Sequence, residues 1–193
     1  MGSERPTSAP RAHPGEVSLT VEELPPVERI LVLSDTHMPR MAKRLPPRLA
    51  EALGEAELIL HAGDFVTGEA LAYLEGFAPV FGVAGNNDDE AIHARFPTWR
   101  LLAWRGFRLG LSHGHEGRGR TTPERAFEAF RTEGVDAIVF GHSHMPLQEE
   151  RDGVLLFNPG SPTDKRRQRE YSFGWLQADT ALRAHLEFYA RKD

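Results

Sequence analysis

Short apolar runs recur along the chain, and five of them end in clusters of side chains able to bind metal ions. Ile30-Leu31-Val32-Leu33 leads into Ser34-Asp35-Thr36-His37, Leu58-Ile59-Leu60 into His61-Ala62-Gly63-Asp64, and Val80-Phe81-Gly82-Val83 into Ala84-Gly85-Asn86-Asn87-Asp88. Leu109-Gly110-Leu111 leads into Ser112-His113-Gly114-His115, and Ile138-Val139-Phe140 into Gly141-His142-Ser143-His144. Runs of this length, rich in β-branched and aromatic residues and closed by Gly, predict buried strands. Ligands of layered α/β folds bind beyond the carboxyl ends of such strands, so the clusters are expected to converge.

Helical signals alternate with the strands. Pro46 and Pro47 can open a helix with Leu49 and Leu53 on one face and Gly54 at its end. Thr67 can cap a second, carrying Leu71 and Leu74 and stopping at Gly76. Thr122-Pro123 opens a third, with Ala126, Phe127 and Phe130 inward and Gly134 at the stop. The final third changes character, and Val154 to Phe157, Ser172 to Gln177 and Leu182 to Tyr189 predict strands joined by turns. Alternation followed by consecutive strands predicts an α/β (α+β) fold in which two sheets pack face to face with helices outside. Residues 1–27, rich in Pro, Ser, Arg and Glu and without period, predict a flexible N-terminal extension in which Val17 to Val21 touches the body as a short strand. The domain proper is expected over residues 28–193.

Composition narrows the chemistry. A chain of 193 residues is one ordinary domain with a sizeable core. Its net charge of -5 argues against nucleic-acid binding through overall positive charge, so no stable nucleic-acid complex is expected. With no Cys, any metal must be held by His, Asp, Glu or Asn. No apolar stretch approaches a membrane span and the N-terminus lacks a signal-peptide core, so a cytoplasmic location with no membrane partner is expected.

Residues two apart in an extended segment point to the same side, so Asp35 with His37, His113 with His115 and His142 with His144 can each grip a cation together. Either oxygen of the Asp64 carboxylate can bind, so it can bridge two cations. Any one of these pairs alone reads as an ordinary turn. Six of the nine histidines lie in or beside the clusters, however, which makes chance placement a poor explanation. One closed metal site uses about four ligands, fewer than the clusters supply. A pair of divalent ions about 3.5–4 Å apart can clamp a phosphoryl group and activate water.

Asp-Thr-His, Gly-Asp, Gly-Asn-Asn-Asp, His-Gly-His and Gly-His-Ser-His, in this order, resemble the calcineurin-like metallophosphoesterases. The small single-domain phosphodiesterase branch is the most similar, including the later Asn158-Pro159-Gly160-Ser161. The resemblance spans about residues 28–178 and implies a four-layer αββα sandwich of two mixed β-sheets flanked by helices. It implies that Asp35, His37 and His144 hold a first metal, that Asp64 bridges, and that Asn86, His113 and His142 hold a second. Manganese is the metal it favours, with iron, zinc or nickel as substitutes. The implied activity is metal-dependent hydrolysis of phosphodiester bonds by metal-bound hydroxide at a dinuclear centre, on a small diester such as a nucleotide. Small relatives often form dimers or higher assemblies, so a homo-oligomer is among the expected partners.

One position departs from the pattern. Many relatives carry His where this chain has Asn87, and Asn cannot act as a general acid. His115 is then the candidate for the missing proton or hydrogen bond, Asn86 joins the ions in stabilising the transition state, and Asp88 orients its loop or bonds a metal-bound water. In the basic run Lys165 to Arg169, Arg166 and Arg167 are candidate substrate-binding residues, against the simpler reading of a solvated loop. His61 is expected to pack or hydrogen-bond rather than ligate. Two alternatives stand beside the diesterase reading: a phosphomonoesterase acting on nucleotides or phosphoproteins, and a non-catalytic metal-binding scaffold.

Overall fold

A computed structural model describes residues 19–193, in which the chain forms eleven strands and four helices. Strand β1 is Val21–Glu23, β2 Arg29–Leu33, β3 Ile59–His61, β4 Val80–Gly82, β5 Trp99–Trp104 and β6 Phe107–Ser112. Then come β7 Ala137–Val139, β8 Leu147–Arg151, β9 Val154–Asn158, β10 Tyr171–Ala178 and β11 Leu182–Tyr189. Helices α1 Pro47–Glu55, α2 Gly68–Glu75, α3 Glu90–Arg95 and α4 Thr122–Phe130 lie between them.

The strands form two mixed sheets, one ordered β1-β5-β6-β7-β9-β8 and the other β11-β10-β2-β3-β4. Alternation along β2 shows how they stack. Ile30 and Val32 join Leu60, Leu109, Leu111, Val139 and Phe157 in a core between the sheets. Leu31 and Leu33 point the other way, into a core with Leu49 and Leu53 of α1, Leu71 and Leu74 of α2 and Ile92 of α3. On the far face of the six-stranded sheet, Ala126, Ala129 and Phe130 of α4 cover Leu101, Ile138 and Leu156. Each sheet is therefore buried on both faces, giving the four-layer αββα sandwich.

The helix ends follow local chemistry. The hydroxyl of Thr67 caps α2 by accepting from the Ala70 amide, as expected. Helix α4 opens at Thr122-Pro123 as expected, capped by Thr121, with which Glu124 completes a reciprocal capping box. Gly54 lies inside α1, which continues to Glu55.

The boundary expected at residue 27 meets a different arrangement. Residues 1–18 of the expected extension lie outside the described residues, as do Val17 and Ser18 of its expected strand. Val21–Glu23 pairs parallel with β5, Leu24 is buried, and the Val27 carbonyl accepts from the Trp104 indole at 3.1 Å. Those contacts tie the segment from Val21 onward to the sheet.

β2, β3 and β4 run parallel in one sheet, and β6, β7 and β9 run parallel in the other. The clusters leave the carboxyl ends of these strands. Gly141 N donates to His113 O at 3.1 Å within one sheet, and His113 Nδ1 reaches Ala62 O at 2.7 Å across to the other. The clusters thus meet where the two sheets come together.

Candidate metal centre

Asp35 occupies the middle of this meeting point and is fully buried. Its Oδ2 accepts from Ser34 Oγ at 2.6 Å and from the His142 amide at 2.9 Å. Its Oδ1 has no hydrogen-bond partner among the described residues, yet lies 3.2 Å from His144 Nε2 and 3.8 Å from His37 Nε2. An orphaned buried carboxylate oxygen is costly unless a cation satisfies it. The two imidazoles face one another, with Nε2 atoms 3.2 Å apart. That is a spacing two nitrogen ligands of one cation can hold.

Asp64 lies alongside. Its Oδ2 is 3.6 Å from His37 Nε2 and 3.3 Å from His113 Nε2. Two groups have ligand atoms close enough to hold an ion, Asp35 with His37 and His144, and Asp35 with Asp64 and His113. Asp35 is common to both, and Asp64 reaches a histidine of each. His142 borders the second group, its ring centroid 5.2 Å from that of His113.

Hydrogen bonds on the far side of each ring set the tautomers. Nδ1–H of His144 donates to the Asp164 carbonyl at 2.6 Å, and Nδ1–H of His113 to the Ala62 carbonyl. In the neutral rings, both Nε2 lone pairs therefore face the centre. His61 differs. The Gly63 amide donates to its Nδ1, so its Nε2–H donates to Thr36 Oγ1, and the ring stacks on Phe65 with centroids 3.6 Å apart. Both nitrogens are used inside the protein, which meets the expectation of packing and hydrogen bonding.

Charges in the centre are tightly linked. Burial opposes the positive charge of His113, but Asp64 and Asp35 outweigh it and raise its pKa to about 9. A cation bound there must displace that proton. Burial likewise opposes the charge of His144, and Asp35 outweighs it to raise the pKa. Burial lowers His37, and burial together with the His113 charge lowers His142 to about 4. Burial works against ionised Asp35 and Asp64, but neighbouring histidines hold Asp35, and His113 and Asn87 hold Asp64, below the usual carboxylate range.

The backbone shows the same concentration. Asp35, His37, Asp64, His142 and His144 all have positive φ, between 43° and 66°. Asp and His tolerate this region better than most residues, but each still costs on the order of 1 kcal/mol or more. Such strain clusters at functional sites.

Contacts from elsewhere hold the ligand loops in place. Asn158 Nδ2 donates to Gly141 O and Ser143 Oγ, Ser161 Oγ to Asp35 O at 2.7 Å, and Thr163 Oγ1 to Thr36 O at 2.5 Å. Sequence reasoning noted the Asn-Pro-Gly-Ser turn only as part of a resemblance. Its signal was its place directly after a strand of the same sheet.

The Gly-Asn-Asn-Asp loop is arranged in an unexpected way. Asn87 bonds both oxygens of Asp64, its amide to Oδ1 at 2.8 Å and its Nδ2 to Oδ2 at 2.6 Å. Asn86 is exposed. Asp88 accepts from the amides of Asp64, Val66 and Gly85 at 2.7–3.0 Å, stapling the loop after β3 to the loop after β4. Of its two expected roles, that geometry supports orientation of the loop. His115 lies beside the second group, its ring centroid 5.2 Å from His113 and 6.0 Å from His142. Arg166 and Arg167 are exposed, on a loop anchored through Asp164, whose carbonyl holds His144 and whose carboxylate lies 3.9 Å from Arg166 Nε.

Comparison with known proteins places this geometry in a family. Residues 29–181 match the calcineurin-like phosphoesterase superfamily domain. A probable metallophosphoesterase of Methanothermobacter thermautotrophicus is 38% identical over 135 residues, 70% of this chain and 77% of that protein. Among solved structures, Vps29 of Chaetomium thermophilum superposes with a TM-score of 0.70 at 21% identity, covering 84% of this chain and 97% of that one. A structure described as a novel archaeal phosphodiesterase gives 0.61 at 23% identity, covering 82% and 99%. The two structures show the common fold, and the family match extends over most of the chain. With its candidate metal ligands gathered at the carboxyl ends of the parallel strands, the chain belongs to the calcineurin-like phosphoesterase superfamily.

Proposed function

We propose that the chain is a phosphodiesterase working at a dinuclear metal centre. The observation that carries this reading is the sharing of carboxylates. Asp64 Oδ2 lies 3.6 Å from His37 of one candidate ligand group and 3.3 Å from His113 of the other, between the two, and Asp35 stands close enough to serve either. In the proposed arrangement Asp35, His37 and His144 hold one ion, His113, His142 and Asn86 the other, and Asp64 bridges. The mixed His and carboxylate set suits manganese, iron, zinc or nickel better than magnesium or calcium, and manganese is our first choice. Bound ions would polarise the phosphoryl oxygens and make water acidic enough to attack at neutral pH.

The protein's own groups complete the reaction. Asn87 keeps the Asp64 carboxylate in one orientation through two hydrogen bonds. His115 lies on the side of His113 and His142, where its imidazole can give a hydrogen bond or a proton to the departing oxygen. Arg166 and Arg167 add positive charge near His144 and draw in an anionic substrate. A diester carries a single negative charge, so it needs less neutralisation than a monoester dianion. Hydrolysis of bis(p-nitrophenyl) phosphate and p-nitrophenyl phosphate by manganese-loaded protein tests the reading. Preference for the diester is the expected result. Preference for the monoester would make the chain a phosphomonoesterase, and no turnover of either by fully loaded protein would favour a scaffold.

A further inference from the structure

A groove of about 320 Å³ opens between the loop after β2 and helix α2. One wall begins at Met38, the residue after His37, and the other at Thr67, three residues after Asp64. At about 3.5 Å per extended residue, these walls start within about 11 Å of the candidate centre along the chain. The volume lies at the lower end of the roughly 300–1,000 Å³ typical of small-molecule sites. A recess of this size is thus walled by the same two loops that carry His37 and Asp64 into the candidate centre.

The chemistry of the lining is mixed in a specific way. Met38, Pro39 and Ala70 supply apolar surface, with Met38 and Ala70 both buried. Tyr73 is 49% exposed, and its ring is held edge-on against Phe77 with centroids 5.7 Å apart. A large aromatic ring held in place beside a recess provides a stacking face. Lys43 and Arg44 line the same groove and are exposed, which suits a ligand carrying negative charge. Glu69 adds one carboxylate acceptor, which disfavours a purely anionic ligand but fits one that also presents hydroxyl donors. Aromatic face, paired cations and a single carboxylate acceptor are together complementary to a base, a phosphate and a ribose.

We propose that this groove is the subsite for a nucleoside arm of the diester substrate, with the base against Tyr73, the sugar hydroxyls toward Glu69 and further phosphate charge toward Lys43 and Arg44. The proposal rests on the diesterase reading and narrows its substrate to nucleotide diesters.

The test compares thymidine 5′-(p-nitrophenyl) phosphate, which carries one nucleoside arm, with bis(p-nitrophenyl) phosphate, which carries none. Manganese-loaded wild type, Tyr73→Ala and the Lys43→Ala/Arg44→Ala double variant are assayed on both. The expected result is a KM for the nucleoside ester raised about tenfold or more by Tyr73→Ala with kcat little changed and a smaller rise for bis(p-nitrophenyl) phosphate, while the Lys43→Ala/Arg44→Ala variant weakens competitive inhibition by thymidine 5′-diphosphate, which carries a further phosphate, by about tenfold. A second readout needs no turnover. Thymidine 5′-monophosphate added to zinc-loaded protein should shift the methyl NMR signals of Met38 and Ala70, and Tyr73→Ala should weaken that response. Wild-type kinetics for the nucleoside ester in Tyr73→Ala and wild-type inhibition by thymidine 5′-diphosphate in the double variant, with the bis ester still hydrolysed, would overturn the subsite and leave the diesterase reading intact. If neither ester is hydrolysed, the diesterase reading fails, and unchanged methyl signals would then overturn the subsite on their own.

Discussion

Asn87 stands where many relatives carry histidine, and it spends its side chain on Asp64 at 2.6 Å. A hydrogen bond to a charged group contributes about 1.5–3 kcal/mol, and loss of a residue supporting a metal ligand commonly lowers affinity about 10–100-fold. Asn87→Ala is accordingly expected to weaken manganese binding by about that factor and to lower the thermal transition of the metal-free protein by several degrees. Titration calorimetry measures the affinity, and an unchanged value would remove Asn87 from the support of Asp64. The candidate ligands themselves were legible in the sequence because buried Asp and His are scarce without a reason, and these fall at strand ends. Ser34, Asn87, Ser161 and Thr163 were not legible as supports. Their roles arise from contacts such as Ser161 with Asp35, made between residues 126 positions apart, and a lone Ser or Thr carries no such signal.

At the scale of the elements, the close approach of loops decides whether the centre forms. Gly141 follows β7, and a Cβ there would collide with Ser34 Oγ and crowd Asp35 Oδ2. Gly141→Ala should push the loop after β7 away from Asp35, lower stability by about 1–3 kcal/mol as overpacking does, and reduce metal binding. Urea unfolding and metal titration of the purified variant measure the two effects, and wild-type values in both would show that the loop can yield without consequence. Periodicity revealed the strands leading into the clusters and three of the helices, because each has an apolar face turned into a core. It missed β5, whose polar and apolar positions do not alternate cleanly, and β8, Leu-Gln-Glu-Glu-Arg, which has a single apolar residue. β8 is a strand because it pairs with β9 at the edge of the sheet, a tertiary cause that local pattern does not record. Helix α3 has only six residues, too few to display a period.

Across the whole molecule, the buried histidines tie stability to acidity. His61 is fully buried, and burial lowers its pKa from 6.5 to about 3. The unfolded chain binds a proton at this ring below about pH 6.5, while the folded chain refuses it until about pH 3. His61 therefore contributes stability above pH 6.5 that is lost progressively as the pH falls toward 3. In urea unfolding of the metal-free protein at pH 7 and pH 5, wild type should lose more stability than His61→Gln, whose amide does not titrate. Equal losses would show that this ring does not set the acid sensitivity.

At the metal centre, strained backbone, buried carboxylates and inward-facing imidazoles occur together. No single one of these features requires a metal, but here they converge from the ends of four strands, β2 and β3 of one sheet and β6 and β7 of the other. The most direct test is the metal content of protein reconstituted with manganese and freed of loose ions, set beside that of Asp64→Asn prepared in the same way. Two ions per wild-type chain, with clear loss in the variant, is the expected outcome. One ion or none in wild type, or two in both proteins, would contradict a dinuclear centre bridged by Asp64.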